Sequence, residues 1–167
     1  MKDDLTQSDI DKMKEELEYR KVTKRYELLE HVKVARAQGD LSENFEYKAA
    51  KREKNQNESR IRYLERMIKT ANIIDDSSAD DEVGINNTVT VLFVEDNETE
   101  KYKIVTTIRT DSLNGLISIE SPLGKALLKK KVGDVVTVKV NDTVSYDVKI
   151  IDIDKTTDDK NDKIRQY

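Results

Sequence analysis

The chain of 167 residues contains no cysteine and no tryptophan, and only one proline, one histidine and five glycines. Without cysteine it can build neither disulfides nor thiolate chemistry nor a cysteine-ligated structural zinc site. No run of apolar residues approaches membrane-spanning length, and Met1 to Ile10 is too polar to resemble the apolar segment of a leader. A cytoplasmic protein with no membrane contact is the expectation. His31 stands alone and offers no metal or catalytic cluster; it reads as a residue on a helix face. Apolar material is also short. Hydrophobic residues make up 36% and charged residues 38% of the chain, too little apolar surface for one compact core. That balance fits a mostly exposed helical part beside a small globular one. The net charge of −4 is uneven: residues 1–75 carry 17 basic and 16 acidic side chains, the remainder 13 and 18. Neither half shows the concentrated basic excess of an autonomous nucleic-acid binder.

The placement of the few glycines and the proline is informative. Between Met1 and Asp81 there is one glycine, Gly39, and no proline, so helix can run almost unbroken on either side of it. The first run starts near Thr6, a capping residue with Asp9 three positions on. Its apolar positions are Ile10, Met13 and Leu17, resuming at Leu28, Val32 and Ala35. The second run has a cleaner heptad at Tyr47, Ala50, Lys54, Asn57, Ile61, Leu64, Ile68 and Ala71. Folding at Leu41 makes an antiparallel α-helical coiled-coil hairpin over residues 1–75 with an acidic tip at 39–44. In that register Met13 meets Ile68, Leu17 meets Leu64, and the polar Lys24 lies beside Asn57 and Glu58. An arm of some 30 residues projects roughly 45 Å at 1.5 Å per residue.

Residues 76–82 read as a linker. Beyond it the period changes to two, with β-branched enrichment, and strands are predicted at Thr88–Val94, Lys101–Ile108, Leu116–Ile119, Val135–Val140 and Val144–Ile153. Asn141-Asp142-Thr143 forms the turn of a hairpin. Ser121 and Pro122 open a short helix through Leu128, serine as cap and proline at the first helical position. The fold class is α+β, with a small antiparallel β domain over 83–153 carrying one short helix. The tail, 154–167, lacks hydrophobic periodicity and is expected to be disordered.

The tip segment Gly39-Asp40-Leu41-Ser42-Glu43-Asn44 places two carboxylates three residues apart at the turn between the helices. Such a pair has two uses. Asp40 can cap the second helix with Glu43 reaching back, or both can serve as ligands for a hard cation. Mg²⁺ is often held by one or two carboxylates plus substrate phosphate, so the pair alone would be an incomplete site.

The ordered segments 35–50, Glu58-Ser59-Arg60-Ile61, 71–75, Leu113-Asn114-Gly115, 117–128 and Val132-Gly133-Asp134-Val135-Val136 resemble the GreA/GreB transcript-cleavage factors of bacterial RNA polymerase. The resemblance implies a hairpin inserted through the polymerase's secondary channel and an FKBP-like second domain docking at its mouth. It further implies that Asp40 and Glu43 act in the polymerase active centre, sharing Mg²⁺ with the polymerase only in the complex. The nascent RNA 3′ end is then the substrate, and the isolated chain is a monomeric accessory factor without cofactor or enzymatic activity of its own. Arg36, Asn44, Phe45 and Tyr47 are candidates for contact with RNA or polymerase. Ser121, Pro122, Leu123, Lys129 and Lys130 are candidates for docking. The chain departs from the family in three places. Tyr26 stands where a proline is common, the stretch 54–57 is unusually polar, and Lys129 replaces a frequent glycine.

Other readings compete. A Gre-like channel inhibitor would keep the docking mode and invert its effect, against which the intact Asp40 and Glu43 argue. A prolyl isomerase would need an aromatic pocket, for which Phe93, Tyr102 and Tyr146 are a thin basis, and a fold does not transmit an activity. A plain coiled-coil adaptor would tolerate substitution at the tip.

Overall fold

A computed structural model of the chain describes residues 2–39 and 44–166. The chain divides into two compact units, one built from Gln7–Asn72 with the N-terminal residues up to Asp3, the other from Asp4–Thr6 and Ile73–Gln166. The second unit is therefore wider than the span 83–153 expected for it, and takes in residues assigned above to the hairpin, the linker and the tail. Two short strands, β1 (Asp4–Leu5) and β2 (Asn72–Ile73), form a two-stranded ladder, next to which Ile74 donates its amide to the Leu5 carbonyl at 2.8 Å.

The first unit is a helical hairpin. Its first limb comprises α1 (Gln7–Tyr19), a π-helical turn at Arg20–Lys24, and α2 (Arg25–Ala37); its second is α3 (Phe45–Thr70). The π turn has a cause legible in the spacing. Ile10, Met13 and Leu17 keep a heptad, but the next apolar residue in line is Leu28, an eleven-residue step. A step of that size is a stutter in the seven-residue pattern, and the helix must unwind locally to absorb it. With the wide turn in place, Leu28 and Ala35 are buried rather than His31 or Val34. On the other limb α3 buries Asn57, Arg60, Ile61, Leu64 and Met67.

The polar layer differs from the expected one in its partners. Arg20, not Lys24, meets Asn57: Arg20 Nη1 donates to Asn57 Oδ1 at 2.9 Å, and Asn57 Nδ2 to the Arg20 carbonyl at 3.3 Å. Arg25 takes Glu58 through two hydrogen bonds of 2.8 and 2.9 Å. Glu16 accepts from Arg60 Nε at 2.9 Å and Nη2 at 3.2 Å, and from Arg20 Nε at 2.9 Å. Lys21 pairs with Glu65 at 2.6 Å. Lys24 lies inside the π turn, whose wider winding changes which side chains reach α3.

The second unit is a five-stranded sheet in the order β5-β4-β3-β7-β6. Its strands are β3 (Thr88–Phe93), β4 (Glu98–Val105), β5 (Leu116–Ser118), β6 (Val135–Lys139) and β7 (Ser145–Asp154). All five strands predicted from the period-two pattern are present. The sheet is mixed rather than wholly antiparallel, because β5 runs parallel to β4. The chain reverses twice between them, through single 3₁₀ turns at Thr107–Arg109 and Ser112–Asn114. Helix α4 (Pro122–Leu127) packs against both edge strands, β5 and β6. One face of the sheet supplies Val89, Val91, Ile104, Val138, Val148 and Ile150 to the core, which Val83 and Leu127 complete. Among the described residues no helix is long and apolar enough to cross a membrane.

The tail corrects the expectation of disorder. Lys155 Nζ lies within 3.0 Å of Ser78 Oγ, the Ala79 and Glu82 carbonyls and Asn87 Oδ1, four acceptors for its three donors. Asp162 pairs with Lys103 at 2.9 Å and with Arg109 at 2.8 Å, and Ile164 is buried. A segment without periodicity is thus held by two ion pairs and one apolar anchor.

Candidate functional site

The tip is defined by what lies on either side of it. Asp40, Leu41, Ser42 and Glu43 lie outside the described residues. Gly39 precedes them with φ of 144°, a conformation that favours glycine. Asn44 follows and is the N-cap of α3: its Oδ1 accepts the Tyr47 amide at 2.9 Å. The cap weighed above for Asp40 therefore belongs to Asn44, one of the most favourable capping residues. The same side chain makes a second bond, donating Nδ2 to the Ala35 carbonyl at 2.7 Å. That carbonyl is in the last turn of α2, where it also accepts the Gln38 amide at 3.2 Å. Asn44 thus ties the end of one limb to the start of the other with a single amide.

Arg36 and Tyr47 add a second tie. Arg36 lies in the last turn of α2, where a cation is favoured by the helix dipole. Its Nη2 donates to Tyr47 Oη at 3.4 Å, and its guanidinium sits 5.5 Å from the ring centroid. This hydrogen bond holds the Tyr47 hydroxyl below its ordinary range. Phe45 is 79% exposed, with the Lys48 ammonium 5.7 Å from its ring. Of the four contact candidates, Arg36, Asn44 and Tyr47 are brought together and bonded, and Phe45 projects. What the sequence reading missed is Asn44's double role. Its signal was present in an asparagine directly before the helical run.

The docking candidates divide. Ser121 is the N-cap of α4, its Oγ accepting the Gly124 amide at 3.1 Å and donating to the Ser118 carbonyl at 2.6 Å. Leu123 belongs to the buried core cluster, with 9% of its surface exposed. Pro122, Lys129 and Lys130 are exposed. Lys131 is paired with Asp81 at 3.1 Å, which raises the lysine and lowers the aspartate from their ordinary values. Phe93 packs against Tyr102 and Tyr146, with centroids 6.5 and 5.8 Å apart, so these rings fill space with one another.

Comparison with known proteins gives this geometry its context. The family described as "Transcription elongation factor, N-terminal" matches residues 4–73, and "Transcription elongation factor, GreA/GreB, C-term" matches residues 78–155. The chain belongs to the GreA/GreB family of transcription elongation factors. It is 46% identical over 153 residues to "Transcription elongation factor GreA" of Streptococcus gordonii, spanning 91% of this chain and 95% of that protein. Against the protein of the same name from Macrococcus caseolyticus the identity is 48% over 149 residues, covering 89% and 94%. A solved structure, the GreA factor homolog 1 (Gfh1) protein of Thermus thermophilus, is 24% identical, with 92% of this chain and 99% of that chain covered and a TM-score of 0.43. The score is too low to add to the family assignment. Both family matches end by residue 155, and the tail beyond it is outside them.

Proposed function

We propose that this protein is a transcript-cleavage factor. It binds bacterial RNA polymerase through its second unit, passes its hairpin through the secondary channel, and promotes hydrolysis of backtracked RNA by the polymerase's own active centre. The observation that carries this reading is the tip. Asn44, Arg36 and Tyr47 tie the two limbs together immediately beside the segment bearing Asp40 and Glu43, and that segment lies within the family match.

The donor set suits the metal that such chemistry uses. Two carboxylates are hard oxygen ligands of the kind Mg²⁺ takes, and too few to complete its octahedron, so polymerase aspartates and the RNA phosphate would supply the rest. When bound there, Mg²⁺ supplies an activated water and stabilises the leaving oxygen. Asp40 and Glu43 hold and orient, Arg36 and the exposed Phe45 ring offer contacts to RNA or the channel wall, and the chain alone is no nuclease.

The test is to incubate stalled, backtracked elongation complexes and Mg²⁺ with the intact protein or with Asp40→Ala/Glu43→Ala. The intact protein shortens the RNA from its 3′ end. The double variant still binds polymerase and cleaves at least about 100-fold more slowly, since losing the ligands themselves costs no less than losing the groups that orient them. Equal shortening by both would exclude a catalytic tip.

A further inference from the structure

We propose that residues 156–166 form a brace that holds the rim of α4 in its docking shape, so that the strength of polymerase binding depends on this tail. The proposal rests on the reading that the second unit docks polymerase through that rim, with Pro122, Lys129 and Lys130 exposed on it.

The path is short and continuous. Asp162 is a carboxylate with two cations on it: Lys103 Nζ donates to both of its oxygens at 2.9 Å, and Arg109 Nη1 to one at 2.8 Å. The Arg109 side chain has no solvent exposure at all. A guanidinium buried that deeply is strongly unfavourable without a carboxylate opposite it, and the tail supplies one. Asn86 Oδ1 takes a further bond from Nη1 at 2.8 Å. One residue before Arg109, the Ile108 carbonyl accepts the Arg165 amide at 2.8 Å, and Ile164 is buried beside that bond in sequence. The tail therefore grips the 3₁₀ turn Thr107–Arg109 by both side chain and backbone.

The other end of that turn grips the rim. Thr107 Oγ1 lies 2.7 Å from Ser118 Oγ, and Ser118 Oγ also accepts the Glu120 amide at 3.0 Å. The Ser118 carbonyl accepts both the Ser121 amide at 3.0 Å and its hydroxyl at 2.6 Å. Ser121 in turn caps α4, and Pro122 follows it directly. Tail, turn, Ser118 and cap are thus joined by one continuous chain of hydrogen bonds. Loss of the first member loosens the last.

The experiment uses the full chain, a version ending at Lys155, Asp162→Asn and Thr107→Val, each titrated against stalled elongation complexes. The reading is the factor concentration giving half-maximal cleavage, set beside the maximal rate. The shortened version is expected to need about tenfold more protein, a shift of one decade in affinity, with the maximal rate unchanged. Asp162→Asn keeps the tail without its charge and shifts the curve in the same direction by less. Thr107→Val cuts the link to Ser118 with the tail in place and also weakens docking. Hydrogen exchange of the Gly124 amide, which the Ser121 hydroxyl accepts, should quicken in all three. If the shortened version does not fold, the two point variants decide alone. Unchanged half-saturation in the folded variants overturns the brace. A Pro122→Ala/Lys130→Glu variant separates the two layers: if it docks as well as the full chain, the rim is not the docking surface and the brace falls with it, whatever the tail does. A drop in maximal rate without a shift in half-saturation also overturns the proposal.

Discussion

The two units solve the problem of an interior in opposite ways. The sheet unit packs Val83, Val89, Val91, Ile104, Leu127, Val138, Val148 and Ile150 as one apolar cluster, and its buried ion pair, Arg109 with Asp162, lies outside that cluster. The hairpin interrupts its apolar seam with Glu16, Arg20, Asn57 and Arg60, joined by hydrogen bonds near 2.9 Å. Two helices can bury a continuous apolar seam, and here Ile10, Met13, Ile61, Leu64 and Met67 do so only in part of the hairpin. Polar layers set the register instead, at some cost in stability. The lesson is that the hairpin should respond to charge and the sheet to volume.

The sharpest test of the volume half is Gly124→Ala. A Cβ at Gly124 would stand 2.0 Å from the Ser118 carbonyl oxygen and 2.9 Å from its carbon. Backbone cannot yield as a flexible side chain does, so the sheet unit should lose about 3 kcal/mol, the upper end of overpacking. Unit-resolved amide exchange would show the loss in β3–β7 and not in α3. A neutral Gly124→Ala would refute the idea that this unit is governed by fit.

For the charge half the counterpart is Arg60→Ala. The Arg60 side chain is 6% exposed and that of Glu16 18%. Removing the arginine leaves Glu16 with Arg20 alone, in a partly desolvated site. A cost of about 2 kcal/mol is expected, below the range for fully buried pairs, and the helical CD melt should register it. Little change would mean that the polar layer sets register only, without contributing to stability.

Acid gives a smaller and graded version of the same contrast. Burial alone would raise Glu16, but hydrogen bonds and charge from Arg60 and Arg20 outweigh it and hold the carboxyl below its ordinary 4.5. Glu58 is likewise lowered, mainly by its bond to Arg25. A carboxylate lowered in the folded state contributes stability that is fully present above its unfolded pKa. That contribution is lost as pH falls through the folded value. The hairpin should therefore melt at progressively lower temperature as pH drops below about 4.5, while amide protection in the sheet core declines less, because the lowered carboxylates of that unit, Asp75, Asp81 and Asp154, lie at the solvent surface. Parallel decline in both units would erase the distinction.

How much of this was legible depended on whether the signal was local. Alternation of β-branched residues marked every strand of the sheet, and Ser121-Pro122 marked the start of α4 to the residue. The parallel pairing of β5 with β4 was not readable, since strand direction is set by long-range pairing rather than by pattern. The π turn was present as the eleven-residue step from Leu17 to Leu28, yet a heptad extended through it put Lys24, not Arg20, beside Asn57. At the tip the segment holds several capping residues, and spacing alone favoured Asp40 where the helix begins after Asn44. The tail misled for a different reason. Periodicity detects elements that bury a face, whereas Asp162 and Ile164 hold a segment that has no face to bury.

The smallest expected effect bears on both halves at once. Lys129 follows α4 with φ of +68°, a left-handed conformation that costs a non-glycine residue about 1 kcal/mol. It is nevertheless held there, its amide donating to the Val83 carbonyl at 2.8 Å. Glycine adopts this conformation freely but loses more chain entropy on folding, so Lys129→Gly should stabilise the sheet unit by only about 0.5 kcal/mol. If the lysine's charge is what the position is kept for, the same change should weaken polymerase docking while the melting temperature rises. Stability and binding moving in opposite directions would show that the Lys129 charge serves binding at the surface of the sheet unit and not its stability. If both improve, Lys129 is a strained residue with no docking role, and Lys130 and Pro122 carry the rim alone.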